Sequence, residues 1–445
     1  MLTRVNYFMK KKLNNLSSFL KKKIAKKKVK IGIIGLGYTG LPLAIQIRKK
    51  SFVTFGFDVD KKKILNLKKG ISYIDRIKNS DLRKFNRKHF SSNFVNTLYC
   101  DVIIVCVPTP LNSKKEPNLI FIKNTIQNIT PYLKKGQILI LESTSYPGTT
   151  RELIVNKLRK KFNIGQDFFI GFSSERINPG FNENKLDKIP KVVSGYSKNC
   201  LDIISFFYKK IFDQVVKAKN LEIAEFSKLL ENIYRSVNIS FINEMKIIAD
   251  KMNLDIFEIL NIAQTKPFGF KRFDPGPGTG GHCIPIDPEY MFWKAKKIGF
   301  EAKFIRLAAD INIQMINFIY KKIKDILKKS NIKISNSKIL IIGIAYKKNI
   351  DDLRESAALR LMSLLLKKTR AVDFHDKLFK NKIFTRNFSF DKKSINLNRR
   401  KLSSYDIAVI MTDHDYLNYE TIKKYSKNII DCRGKFNLSK NIFRG

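Results

Sequence analysis

The chain alternates short apolar runs, closed by Gly, Pro, Ser or Thr, with longer stretches whose apolar residues recur every three to four positions. Runs of the first kind predict buried strands of a parallel sheet, and the second kind predicts amphipathic helices. "KVKIGIIGLGYTGLPLAIQIRKK" (28–50) is a lysine-flanked strand, a glycine turn and a helix. Further strands are expected in "FVTFGFDVD", "DVIIVCVPTP" (101–110), "QILILESTSYPGTT" (137–150) and "DFFIGFSSERINPG" (167–180). Residues 220–255 lack Gly and Pro and set Ile223, Phe226, Leu230, Ile233, Val237 and Phe241 at helical spacing, which predicts one long helix. An irregular segment, "FDPGPGTGGHCIPIDPEY" (273–290), comes next. A second strand–turn–helix unit occupies 337–368, with short strands in "AVDFHD", "YDIAVIMTDH" and "NIIDCRG". The pattern is α/β, with two sheet units flanking a helical centre.

Composition changes this picture little. At 445 residues the chain is too long for one core. Its formal net charge of +48 would by itself suggest nucleic acid. The excess is mostly lysine, spread through every segment beside abundant Asn, Ile and Phe, the signature of an AT-rich coding sequence. No zinc-finger spacing or RNA-binding sheet motif accompanies it, so no nucleic-acid partner is expected, although a positive field attracts phosphate-bearing substrates. No apolar run reaches the length of a membrane span. Residues 1–28 are basic without a signal-peptide core, and read as an extension that is partly helical, disordered or membrane-surface bound. The five cysteines, Cys100, Cys106, Cys200, Cys283 and Cys432, show no paired spacing, which fits a reducing cytoplasm. Cys106 is expected inside a strand as a small core residue. His282 adjoins Cys283, but no further ligand stands at metal spacing, so no metal is expected.

The glycine turn carries chemistry. Gly35-Leu36-Gly37-Tyr38-Thr39-Gly40 lies between strand and helix, where GxGxxG binds a dinucleotide. Gly35 allows the tight turn, Gly37 lets a pyrophosphate approach, and Gly40 brings the helix close to the strand. Asp58 ends the next strand eighteen residues past Gly40, near the roughly 20 expected for the acid on the ribose hydroxyls. An acid there favours NAD, with Lys63 nearby as a counter-charge. In the irregular segment, Gly276, Gly278, Gly280 and Gly281 bare the backbone toward a ligand, while Pro275, Pro277, Pro285 and Pro288 stiffen it. Loop composition leaves Cys283 open between a nucleophile and an ordinary accessible thiol. Lys228 and Asn232 share one helix face, which alone fits an exposed surface equally well. The turn of the second unit carries Lys347, Lys348, Asp351, Asp352 and Arg354, suited to a phosphate without the dinucleotide fingerprint.

Taken together, GLGYTGLPLA, VPTP, ESTSYPGTT, SSERINPG, the helix with Lys228 and Asn232, PGPGTGGHCIPIDP and AYKKNIDDLRES resemble the UDP-glucose/GDP-mannose dehydrogenase family over roughly residues 29–435. The resemblance implies a basic extension (1–28), an NAD-binding Rossmann domain (29–218), a central helical dimerisation domain (219–330) and a Rossmann-like UDP-binding domain (331–445). It implies four-electron oxidation of a UDP-sugar to its uronate, with NAD as cofactor and a homodimer or higher homo-oligomer. Cys283 matches the nucleophile, and Lys228 and Asn232 the oxyanion-stabilising pair. Asp287 and Thr144 match holders of a catalytic water, and Glu175 the glutamate of thioester hydrolysis. Gly35 to Gly40, Asp58, Lys63, Thr109, Thr144 and Arg354 match cofactor contacts. Glu175, Asn178, Lys228, Asn232, Arg272, Gly278, Gly280, Lys347 and Arg433 match substrate contacts, Arg272 across a dimer. ESTSYPGTT and PGPGTGGHCIPIDP, with Ile286 where the UDP-glucose enzymes carry lysine, point to the UDP-N-acetylhexosamine branch. UDP-N-acetylglucosamine is the expected substrate, with UDP-N-acetylgalactosamine, UDP-N-acetylmannosamine and UDP-glucose as alternatives and surface polysaccharide as destination. Two departures are the extension 1–28 and Cys432, where the family often has a small or polar residue. A single-step dehydrogenase of another substrate class and a non-catalytic basic nucleotide-binding protein are the rival readings.

Overall fold

The computed structural model describes residues 16–74, 77–176, 183–281, 283–385 and 387–445, with side chains from 186 onward in the third of these segments. The chain divides into two compact units at Glu231/Asn232. The first unit holds a sheet of eight strands, β1 (Lys30–Ile34), β2 (Val53–Phe57), β3 (Phe90–Ser91), β4 (Val102–Val105), β5 (Ile138–Leu141), β6 (Phe169–Ser173), β7 (Lys191–Gly195) and β8 (Val215–Lys217). Their order is β3-β2-β1-β4-β5-β6-β7-β8. The pairs are parallel except β6 with β7, which run antiparallel. β4, β5 and β6 are buried along their whole length, as continuous apolar runs covered on both faces should be. The strand order reverses between β1 and β4, where open sheets of this kind bind ligands at their carboxyl ends.

Cys106 directly follows β4 rather than lying within it, and is buried there. β7 and β8 were not among the expected strands. Residues 16–25 form a helix that sets Leu20 and Ile24 into the core of the first sheet and pairs Lys23 with Asp101 at 2.6 Å. This part of the basic extension therefore belongs to the sheet unit, while residues 1–15 lie outside the described region.

The predicted long helix spans Leu221–Lys251. Of the apolar residues that predicted it, Ile233 is buried, whereas Phe226, Leu230 and Phe241 are 47%, 56% and 52% exposed. In the second unit, helices Ile256–Ala263, Asp287–Lys297 and Lys303–Lys329 precede a five-stranded parallel sheet. That sheet comprises β9 (Lys338–Ile342), β10 (Ala371–His375), β13 (Ile407–Ile410), β14 (Ile429–Asp431) and β15 (Ile442–Arg444), in the order β10-β9-β13-β14-β15. A short antiparallel hairpin, β11 (Ile383–Phe384) with β12 (Ser389–Phe390), lies outside it. Arg444 ties the last strand to the helical part, with two hydrogen bonds to Asp255 and one to Asp431. No described helix is long and apolar enough to cross a membrane.

Candidate functional site

In the first unit, Gly35 directly follows β1 at φ +90, where a Cβ would meet the Cys106 carbonyl oxygen at 2.6 Å. Helix Gly40–Lys49 starts at once, and a Cβ on Gly40 would lie 1.9 Å from the Gly35 oxygen. A Cβ on Gly37 would meet nothing within 4 Å, so this backbone faces open space. The helix has no side-chain cap and no acid in its first turn. Its N-terminal amides and positive dipole end are therefore not answered by a local side chain, as an anion site requires. Asp58 is buried, with Oδ2 accepting from the Leu36 N–H at 2.9 Å and Oδ1 from the Asp60 N–H at 3.0 Å. Lys63 stands 3.6 Å from its Oδ2 and over the Tyr73 ring. The Tyr73 hydroxyl donates to the Leu36 carbonyl, and burial, then Asp58, push its pKa well up. Glycine turn, capless helix end and oriented acid all fit a dinucleotide, so Gly35 to Gly40 and Asp58 would hold NAD here.

Thr109, Thr144 and Glu175 follow the carboxyl ends of β4, β5 and β6, with Thr109 buried and the other two half-buried. Lys191 Nζ lies 2.9 Å from Glu142 and 3.5 Å from Glu175. Arg176 beside Glu175 bonds Glu231 on the long helix and the Pro190 carbonyl. Glu225 on the same helix takes the N–H groups of Gly148 and Thr150 and the Thr150 hydroxyl, fixing the ESTSYPGTT turn. Burial pushes Glu225 up to about 7 against those three donors. Asn178 lies outside the described residues.

Lys228 and Asn232 are both buried, one turn apart on the long helix. In the second unit, Asn232 Nδ2 donates to Asp287 Oδ2 at 2.5 Å. The cysteine loop closes into a turn, with the Ile286 and Asp287 N–H groups donating to the Cys283 carbonyl at 3.2 and 2.8 Å. Helix Asp287–Lys297 begins at that aspartate. Cys283 is exposed, whereas the other four cysteines are buried. Thiol, carboxylate and helix amide are thus held by one turn and one short hydrogen bond.

The glycines before Cys283 serve close packing, a use that loop composition did not suggest. Gly278 has φ +111, and a Cβ there would meet the Asn312 carbonyl oxygen at 2.7 Å. Cβ atoms on Gly280 and Gly281 would strike Tyr346, and one on Gly276 would reach Arg433 at 2.9 Å. The Gly276 N–H donates to Asn243 and the Gly281 N–H to the Arg354 carbonyl. Lys347 is half-buried, with its pKa lowered by burial and then by Arg235 and Lys348. Arg433 Nε donates to the Met411 carbonyl. Arg354 is held by Asp352 through a bidentate pair, and Arg272 by Asp274 and Asn261. Among the described residues no cluster of His, Cys, Asp and Glu could hold a metal. Lys191, Glu142, Arg176 and Glu231 escaped sequence reasoning, because no local pattern marks a lysine at a strand start as the partner of distant acids.

The chain thus carries a dinucleotide turn on one sheet and, apart from it, an accessible thiol whose turn leads into an amide–carboxylate pair. Three family models match in series: the UDP-glucose/GDP-mannose dehydrogenase NAD binding domain over 29–212, the central domain over 222–314 and the UDP binding domain over 340–437. The chain is 34% identical over 406 residues to the UDP-N-acetyl-D-glucosamine 6-dehydrogenase of Salmonella typhi, covering 90% of this chain and 94% of that one. It is 36% identical over 355 residues to the Pseudomonas aeruginosa protein of the same name, covering 79% and 83%. The solved UDP-D-ManNAc dehydrogenase of Pyrococcus horikoshii superposes with a TM-score of 0.83 at 29% identity, over 94% of this chain and 98% of that one. The chain therefore belongs to the UDP-glucose/GDP-mannose dehydrogenase family. It is an NAD-dependent UDP-sugar dehydrogenase with the three-domain architecture of that family.

Proposed function

We propose that this enzyme oxidises C6 of UDP-N-acetylglucosamine to the carboxylate by way of a thioester on Cys283. The carrying observation is the juxtaposition of Cys283, Asp287 and Asn232, an exposed thiol whose turn leads into a buried amide–carboxylate pair. NAD, which Gly35 to Gly40 and Asp58 would hold, would supply the hydride acceptor for the alcohol and again for the thiol adduct. Cys283 sulfur adds to the aldehyde carbon, giving a thiohemiacetal, which on losing the second hydride and a proton becomes the thioester. Lys228 and Asn232 stabilise the oxyanion, Asp287 and Thr144 hold water, and Glu175 takes a proton from the water that hydrolyses the thioester. Overall, one alcohol, two NAD and one water give one carboxylate, two NADH and three protons. Lys347, Arg433, Arg272, Gly278, Gly280 and Asn178 are assigned to the UDP-sugar, and Asp58, Lys63, Thr109 and Arg354 to NAD.

Ile286, directly before Asp287, and the two relatives named for UDP-N-acetyl-D-glucosamine support this sugar. The solved relative named for UDP-D-ManNAc keeps the mannosamine epimer as the second reading. The exposed stripe of Phe226, Leu230 and Phe241 supports a homodimer through the long helix. The uronate sugar nucleotide is then a donor for surface polysaccharide, made in the cytoplasm.

Purified protein offered UDP-N-acetylglucosamine, UDP-N-acetylgalactosamine, UDP-N-acetylmannosamine and UDP-glucose should form two NADH per molecule of the first and turn over the others slowly. Cys283→Ser should keep NAD binding but fail to complete the oxidation. A Cys283→Ala protein with full turnover overturns the thioester route. Leu230→Glu should shift the sedimenting species from dimer to monomer.

A further inference from the structure

Beneath the Glu175 turn lies an ionic cluster whose other members, Lys191 and Glu142, have no part in the proposed reaction scheme. Lys191 is only 3% exposed, and its Nζ sits between Glu142 and Glu175. Glu142, directly after β5, is 1% exposed, and its second oxygen accepts from the buried Tyr208 hydroxyl. Glu175 is half-buried, and its other oxygen accepts from the Arg176 N–H at 2.6 Å. Topology explains the meeting. Parallel strands bring their last residues to the carboxyl edge of a sheet. Antiparallel β7 instead brings its first residue there. Its register with β6 pairs Gly171 with Gly195, Phe172 with Ser194 and Ser173 with Val193, and two further steps set 175 opposite 191.

Because Lys191 and Glu142 are buried, their charges are weakly screened. Burial and Glu175 push the Glu142 carboxyl up while Lys191 pulls it down, and for Lys191 the two carboxylates outweigh burial, holding the ammonium charged. The turn is pinned on its other side through Arg176, whose guanidinium bonds Glu231 and the carbonyl of Pro190, the residue before Lys191. We infer that Lys191 is a positioning residue for thioester hydrolysis, anchored by Glu142 and aiming the Glu175 carboxylate at the attacking water. The inference rests on the reading of Glu175 as the base. In that step water oxygen bonds to the acyl carbon and the C–S bond breaks. Sulfur leaves with the electron pair, and one water proton passes to Glu175.

The test compares wild type, Glu175→Gln, Lys191→Arg and the double variant Glu142→Gln/Lys191→Met. The double variant keeps the net charge of the cluster and leaves no charge at the two most buried positions, which lessens the hazard of removing one partner alone. Each is followed by rapid-mixing NADH formation, steady-state turnover, intact mass and thermal melting. The double variant should keep its NADH burst while steady-state turnover falls about 10- to 100-fold, the cost of a misplaced catalytic group. A covalent sugar adduct should accumulate on Cys283, as in Glu175→Gln, and Lys191→Arg should recover most of the rate. Wild-type turnover in the double variant overturns the inference, as does equal loss of burst and steady state with a lowered melting temperature. If Glu175→Gln accumulates the adduct and the double variant does not, the role of Lys191 alone fails. If Glu175→Gln accumulates none, the assignment of Glu175 as base fails, and the inference with it.

Discussion

β1 and β9 end in the same turn. Gly35 donates its N–H to Phe57 at 2.8 Å, and Gly343 donates its own to His375 at 2.9 Å. The next N–H, of Leu36 or Ile344, donates to the acid after the neighbouring strand, Asp58 or Asp376, at 2.9 Å in both cases. Beyond that point the two chains of residues diverge. After Gly35 a helix begins at Gly40, whereas after Gly343 a loop carrying Lys347, Lys348 and Arg354 intervenes before the helix at Ala357. Among the described residues Asp58 has Lys63 at 3.6 Å as its ion-pair partner, while Asp376 is sealed by His414 at 3.1 Å and the Tyr416 hydroxyl at 2.8 Å. One turn thus serves two ends. Where the helix comes at once and the acid has room, a dinucleotide fits; where a basic loop intervenes and the acid is plugged, the fingerprint is gone and the acid is structural.

The largest break in this comparison is expected at the two acids. Asp376→Ala removes a buried, multiply bonded carboxylate and should cost about 3–5 kcal/mol in urea unfolding of the second unit. Asp58→Ala strips two backbone N–H groups of their acceptor and should cost less stability, about 1–3 kcal/mol, while raising KM for NAD roughly 10- to 100-fold. The pH dependence has a definite sign. Burial opposes ionisation of Asp376, but His414 and the backbone donors outweigh it and hold the carboxyl below its usual range. Its stabilisation is therefore complete above the ordinary carboxylate pKa and lost as pH falls through the depressed value. Asp376→Asn should flatten that part of the acid-melting curve.

Lys246 gives the next effect, of opposite direction. It is fully buried, its Nζ has no hydrogen-bond partner among the described residues, and burial pushes its pKa down to about 8. A lysine whose folded pKa lies below its unfolded one costs stability below that folded value, and the cost fades as pH rises toward the unfolded one. Lys246→Met should stabilise the second unit by about 3 kcal/mol at pH 7, from the 1.36 kcal/mol per pKa unit. The gain should shrink between pH 8 and 10.5 in melting curves.

Smaller differences should appear at the glycines. Gly343 has φ +76, and a Cβ would lie 2.3 Å from the Thr412 carbonyl oxygen. Gly343→Ala should therefore destabilise by about 1–3 kcal/mol. Gly37→Ala enters open space and should leave melting alone while weakening NAD about tenfold, measured by fluorescence titration. Least of all, Lys63→Ala removes a partly exposed partner of Asp58 and should change stability by no more than about 1 kcal/mol.

Legibility in the sequence tracked distance along the chain. The glycine turn, its strand and helix, and Asp58 are encoded within thirty residues, so spacing alone exposed them. The Cys283-to-Asp287 turn is equally local, and the long helix was plain from its period. Periodicity shows a helix but not what covers it, so the spacing of Phe226, Leu230 and Phe241 did not reveal their exposure. The plug on Asp376 was invisible because His414 is 38 residues away and contacts it only once β13 lies beside β9. Lys191 was hidden for the same reason, since a lysine opening "KVVSG" looks solvent-facing until an antiparallel strand turns it toward two acids. β15, three residues with an arginine at its end, is too short for any period to show.

The helix at residues 16–25 has a consequence in time. Its Leu16 side chain rests beside Gly136, and its Lys23 reaches Asp101. Neither partner exists when the helix leaves the ribosome. Roughly 120 residues separate Leu16 from Gly136, which at about 5–20 residues per second is a delay on the order of 10 s. Through that interval Leu20 and Ile24 have no core to enter. The helix is made before its partners and can dock only after them.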